Sequence, residues 1–132
     1  MTQTYRGSCH CGRVTFQMQA KLDHVVYCNC SLCSRKGALW HAVTQDNLKI
    51  LTGEQDLTLY QFGTMKAKHY SCSHCGVAPL TRPRIDPGRW AVNVRCLDGV
   101  DVAVLPVVQF DGRNWEAAAK ALIDRLKKPK PS

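Results

Sequence analysis

Val14, Phe16 and Met18 alternate with Thr15, Gln17 and Gln19. This is the period-two pattern of a strand with one buried face and one wet face, and it predicts a half-buried strand over 14–19. The runs LTLYQF (57–62) and WAVNV (90–94) also read as strands. VDVAVLPVVQF (100–110) is rich in β-branched side chains, and Pro106, which has no N–H to give to a ladder, predicts a break or a sheet edge. LKILTG and FDGRN run into turn residues. One segment changes period. In NWEAAAKALIDRL, Trp115, Ala119, Leu122, Ile123 and Leu126 share a helical face, and Asn114 is placed as an N-cap. Arg125, Lys127 and Lys128 lie near its C-terminus, where they suit the helix dipole. The pattern predicts a mainly β chain with one C-terminal α-helix. No repeat or low-complexity linker divides the 132 residues, so 1–132 reads as a single domain.

No apolar run approaches the roughly 18–20 residues that span a bilayer. The opening MTQTYRGS has no apolar stretch of the kind a secretory signal carries. No membrane association is expected, and the expected location is cytoplasmic. The net charge is +8, part of it in RLKKPKPS, whose end forms a basic tail at about 127–132. No aromatic residues interleave with those charges as a stacking surface would need, so the tail reads as solvated and nucleic acid is not an expected partner. The remaining charge is compatible with an anionic small substrate.

Eight cysteines change the picture: Cys9, Cys11, Cys28, Cys30, Cys33, Cys72, Cys75 and Cys96. Without a secretory signal, and at such close spacings, they point to metal rather than to disulfides. Cys9 and Cys11 lie in SCHCG, and Cys72 and Cys75 lie in SCSHCG. Glycine follows each pair, as Gly12 and Gly76. It permits the tight turn that aims backbone N–H groups at a thiolate. Two such knuckles supply the four thiolates of a closed, structural zinc site. His10 and His74 lie inside the knuckles and are not needed as ligands.

Cys28, Cys30 and Cys33, in VVYCNCSLCSRKG, form a set of three with no glycine directly after it. Three protein ligands and an open fourth position are the pattern of catalytic zinc, and a soft thiolate site suits a thiol substrate. Two other readings remain open: completion of a second closed site by Cys96 or a histidine, and a metal-free redox trio. Arg35 and Lys36 follow at once and can offset the cluster's charge or bind a substrate carboxylate. Cys96 stands alone and reads as a small buried hydrophobe.

GSCHCGRVTF, CNCSLCSRKGAL, CSHCG and NVRCLDG…FDGRNWE, in this order, resemble the glutathione-dependent formaldehyde-activating enzymes, from about Gly7 to Trp115. The resemblance implies a β-tent, antiparallel sheets pinned by structural zinc. It implies that Cys9, Cys11, Cys72 and Cys75 hold that zinc, and that Cys28, Cys30 and Cys33 hold a second, catalytic-type zinc, two per chain. The implied activity is that of a carbon–sulfur lyase on a glutathione–aldehyde adduct such as S-(hydroxymethyl)glutathione. Arg35 and Lys36, with Trp40 or His41, are the candidates for holding the tripeptide. The alternative is a non-catalytic zinc-stapled module that binds a thiol or a partner. A redox enzyme, like the methionine sulfoxide reductases of similar fold, would need Cys96 as its metal-free thiol.

Overall fold

The computed structural model describes residues 2–127. The basic tail beyond Lys127, and the side chains of Arg125, Leu126 and Lys127, lie outside the described residues. The described chain forms two sheets. In the smaller, β2 (Thr15–Ala20) lies between β1 (Gln3–Ser8) and β5 (Leu48–Thr52), and both pairings are antiparallel. The larger takes up β3 (Val25–Cys28), β4 (Trp40–Val43), β6 (Leu57–Tyr60), β7 (Lys68–Cys72), β8 (Leu80–Arg82), β9 (Trp90–Asn93) and β10 (Val107–Phe110). Its spatial order is β10-β3-β4-β9-β8-β7-β6. Every pairing in it is antiparallel except β10 with β3, which is parallel and sets Val107 opposite Val25 and Phe110 opposite Cys28. α1 (Cys33–Lys36) is a single turn, and α2 (Trp115–Lys127) is the C-terminal helix. The mainly β expectation with one terminal helix therefore holds.

The alternation at 14–19 is realised. Val14, Phe16 and Met18 are fully buried, while Gln17 and Gln19 face outward. Phe16 and Met18 meet Val25, Val43, Leu80 and Val92 from the larger sheet, and this shared apolar layer joins the two sheets. All four residues of β9 are buried, because both faces of the larger sheet are covered at its centre. One face packs on the small sheet, and the other carries the cavity described below.

Two expectations need correction. Within 100–110 only Val107–Phe110 is a strand, on the sheet edge that Pro106 predicts. Its upstream half turns at Val102–Val104, because the Asp101 carboxylate accepts from the Ala103 N–H and closes a turn in place of a ladder. Asn114 is not a free-standing cap. It ends a 3₁₀ turn, Gly112–Asn114, that runs into α2, and its side-chain amide donates to Asp111. On α2, Ala119 is buried and Trp115 and Leu122 are half-buried, but Ile123 is exposed, so the covered face is narrower than the periodicity predicts.

No helix among the described residues is long and apolar enough to cross a membrane.

Candidate metal centres and the cavity beside them

All eight cysteines are free thiols, and seven of them gather into two groups. Cys9 and Cys11 come from the turn between β1 and β2. Cys72 ends β7 and Cys75 lies in the turn after it. The four Sγ atoms lie within 4.8 Å of one another. Cys9 and Cys11 are 3.6 Å apart, and Cys11 and Cys72 are 3.7 Å apart. A tetrahedron with metal–sulfur bonds of about 2.3 Å has edges of about 3.8 Å, so the set has the dimensions of a tetrahedral thiolate site. Gly12 and Gly76 both have positive φ, 82° and 79°. The chain turns there, and backbone N–H groups come to sulfur: Val14 to Cys9 and His74 to Cys72, each at 3.4 Å. The same backbone donation, with that of Val77 leading, lowers the Cys75 thiol to about 6. The backbone N–H of Arg13, then its guanidinium, lowers Cys11. His10 is exposed, and His74 Nε2 is spent on Asp56 at 3.0 Å, so neither joins the set. The group can hold a metal, and one held there would tie the small sheet to the large one.

The second group is Cys28, Cys30 and Cys33, whose Sγ atoms also lie within 4.8 Å of one another. Cys28 is the last residue of β3, Cys30 sits in the following turn, and Cys33 opens α1. The Cys33 N–H donates to Cys30 Sγ at 3.3 Å. Thiol protons from Cys28 and Cys33 push Cys30 far down as an acid, and the same sharing, with Cys30 as the leading cause, pushes Cys28 far up. Three thiols this close give up one proton readily and hold the rest. Full deprotonation needs a cation among them.

Among the described residues no fourth ligand joins this group. Cys96 packs by the small sheet, on the side of Cys9 and Cys75, and does not complete the triad. Burial raises its thiol to about 11, so it is protonated near neutrality. That removes the closed-site reading with Cys96, and it leaves the reading as a methionine sulfoxide reductase-like enzyme without a reactive spare thiol.

A clamp holds the triad's turn. Asn29, the residue between Cys28 and Cys30, donates through Nδ2 to Asp111 Oδ1 at 3.0 Å. Its Oδ1 accepts from the Arg113 N–H at 3.1 Å, and its carbonyl accepts from Arg113 Nε at 2.9 Å. Between them, Gly112 lies so close that an added Cβ would meet Cys28 Sγ at 2.5 Å and Cys30 Cβ at 2.9 Å. The FDGRN segment is thus the wall behind the triad.

Beside the triad a cavity of about 300 Å³ opens on the outer face of the larger sheet. Its floor follows one line of register: Ala42 opposite Ala91, Ala91 opposite Thr81, Thr81 opposite His69. α2 forms one wall through Trp115 and Leu122. Arg84 fixes that wall, its guanidinium 3.7 Å from the Trp115 ring and bonded to Glu116 at 2.6 Å.

His69 is a residue that sequence reasoning missed. It is buried on β7 and lines this cavity. The Thr81 hydroxyl gives its proton to the Lys68 carbonyl at 2.8 Å, so towards His69 Nδ1, 3.1 Å away, it acts as acceptor. Nδ1 therefore carries the ring proton, and Nε2 presents a lone pair. Burial first, then the nearby Lys36 charge, lowers this imidazole to about 4, so it is neutral near pH 7.

Of the proposed tripeptide-holding residues, Arg35 is exposed and bonds the Ser31 carbonyl through Nη1 at 2.8 Å. Lys36 is half-buried with Nζ 5.7 Å from the Trp40 ring, and burial lowers its pKa. Trp40 lines the cavity. His41 does not: it points to the opposite face of β4, where its Nδ1 donates to the His24 carbonyl at 3.0 Å.

The model of one family, "Glutathione-dependent formaldehyde-activating enzyme", matches residues 4–111. Among solved structures, a crystal structure of a Rhodobacter sphaeroides protein is similar to this chain. It is 35% identical, with a TM-score of 0.72 over 78% of this chain and 99% of that one.

Proposed function

Because this chain belongs to the glutathione-dependent formaldehyde-activating enzyme family, we propose that it makes or breaks the carbon–sulfur bond of a glutathione–aldehyde adduct such as S-(hydroxymethyl)glutathione. In this reading 1–132 acts as one domain and zinc is the metal of both cysteine groups. Cys9, Cys11, Cys72 and Cys75 hold a structural ion, and Cys28, Cys30 and Cys33 hold an exchangeable one. The observation that carries the reading is the contrast between the groups: four thiols closed on one another, against three thiols at the edge of a cavity. Zinc at the triad, when bound, supplies a Lewis acid that favours a substrate thiolate at neutral pH.

The chain's own residues do the rest. Lys36, beside the triad, attracts a substrate carboxylate, with the exposed Arg35 next to it in the chain. The cavity holds aldehyde carbon and sulfur together, which removes the entropy cost of their encounter. In adduct breakdown the hydroxyl O–H bond breaks and its electron pair becomes the second C=O bond. The C–S bond breaks and its pair stays on sulfur. His69 Nε2, an uncharged acceptor in the cavity, takes the hydroxyl proton and returns it to the departing thiolate, which leaves as the thiol. Adduct formation is the reverse. No oxidant or reductant is needed.

Metal analysis and exchange spectroscopy test this. We expect about two zinc ions per chain, since each thiolate group holds one. Cys33→Ser loses one ion and stays folded, whereas Cys75→Ser loses stability with its ion. Exchange between glutathione, formaldehyde and their adduct should run faster with protein than without. One zinc per chain together with a disulfide among Cys28, Cys30 and Cys33 would sink the reading. No rate enhancement in the two-zinc protein would favour a non-catalytic thiol-binding module.

A further inference from the structure

The cavity is far larger than the family's named aldehyde requires. About 300 Å³ is the lower end of the range for small-molecule sites and holds on the order of ten waters at ~30 Å³ each. Formaldehyde has two heavy atoms. The lining is also of the wrong kind for a small polar aldehyde. Val26, Phe62, Ile85, Phe110 and Leu122 surround the low alanine floor. Water gains little in such a space, and an apolar group gains its full burial.

Glutathione does not account for the space. It carries two carboxylates and an ammonium, and moving each from water into an apolar lining costs several kcal/mol unless it is paired. The guanidinium on the wall, that of Arg84, is stacked on Trp115 and bonded to Glu116, and its buried Nε–H, left unpaired among the described residues, is too little to match two carboxylates. The charged tripeptide is therefore better served outside the cavity, near Lys36, which lies close to Cys30 and Cys33. With sulfur held at Cys28, Cys30 and Cys33, what remains to enter the cavity is the substituent on the reacting carbon.

We propose that this site takes the thiol adducts of apolar aldehydes, R–CH(OH)–S–R′, with an alkyl chain or aromatic ring as R lying over Ala42 and Ala91. The bond changes are those given above, and R takes no part in them. The assignment rests on the proposed reading of the triad as the place that holds the substrate sulfur.

Non-reacting S-alkyl glutathiones, from S-methyl to S-hexyl, test it by calorimetric titration of the zinc-loaded protein. Affinity should rise about three- to fourfold per added methylene until the cavity is full, since each buried methylene contributes about 0.8 kcal/mol. Ala42→Leu fills the floor from a strand position that is exposed, so the fold tolerates it. This variant should flatten the series and keep its zinc. A flat series in the unaltered protein overturns the assignment, as does a rising series that Ala42→Leu leaves unchanged. The titration needs no turnover, so the two readings fail separately. A rising series that Ala42→Leu flattens, with no adduct exchanging faster than in buffer, removes the enzyme reading and keeps the apolar subsite. Catalysed formaldehyde exchange with a flat series does the opposite.

Discussion

His69 shows what one side chain can do when its neighbours decide its tautomer. A single hydroxyl, committed to the Lys68 carbonyl, leaves Nδ1 as donor and Nε2 as acceptor. His69→Gln retains hydrogen bonding but cannot take a proton. It should lower the catalysed exchange rate by about 10²-fold, the lower end of the usual range for a general base, with zinc content unchanged. The buried imidazole also makes stability depend on pH. The unfolded chain, with an ordinary histidine near 6.5, takes up this proton before the folded protein does, near 4. Unfolding is therefore favoured as pH falls from about 6.5 towards about 4. Urea unfolding of wild type and His69→Gln across that window checks this. The variant should lose less stability on acidification, and parallel losses would argue against it. None of this was legible in KHYSC. Period two puts His69 opposite in phase to Tyr70 and Cys72, but the cavity and the hydroxyl come from β8, which nothing local announces.

The elements around the triad divide in the same way into what the sequence could say and what it could not. The glycines after Cys11 and Cys75 could be read, because a positive φ is a local demand and glycine meets it. The clamp on Asn29 could not, because Asp111 is 82 residues away. FDGRN read only as a turn; its folded role is to seat Gly112 against Cys28 and Cys30. Gly112→Ala should displace Cys28 Sγ and so weaken metal at the triad selectively. Competition with a chelator would show about a tenfold or greater loss for one ion, on the scale of perturbed ligand support, and no change for the other. Asn29→Ala removes two side-chain hydrogen bonds that join the turn after β3 to the Asp111–Arg113 turn, and leaves the bond from Arg113 Nε to the backbone carbonyl. Both bonds are exposed, so water takes up the freed groups and a loss of about 1 kcal/mol is the expected result in denaturant titration.

At the scale of the whole molecule, composition and pattern foretold a mainly β chain, and the structure adds how its sheets are joined. Phe16 and Met18 fill one interlayer, and the four thiols of Cys9, Cys11, Cys72 and Cys75 bridge the sheets beside it. Removal of a metal held by those four thiols should therefore lower the thermal midpoint of the entire domain, not of one sheet. A loss of about 3 kcal/mol would shift a chain of this size by roughly 10 °C. Two separate transitions by calorimetry would contradict this. Register between sheets and the parallel pairing of β10 were out of reach of sequence reading, because both depend on contacts between distant strands.

That parallel pairing sets an order of assembly. Cys9, Cys11, Cys72 and Cys75 are all present once the first 75 residues of the chain have been made. The turn of Cys28, Cys30 and Cys33 lacks its wall until residues 107–113 arrive and β10 docks on β3. A growing chain can thus bring its four-thiol group together while its three-thiol site is still loose. The three-thiol turn gains its final shape among the last events of folding, when the body around it already exists.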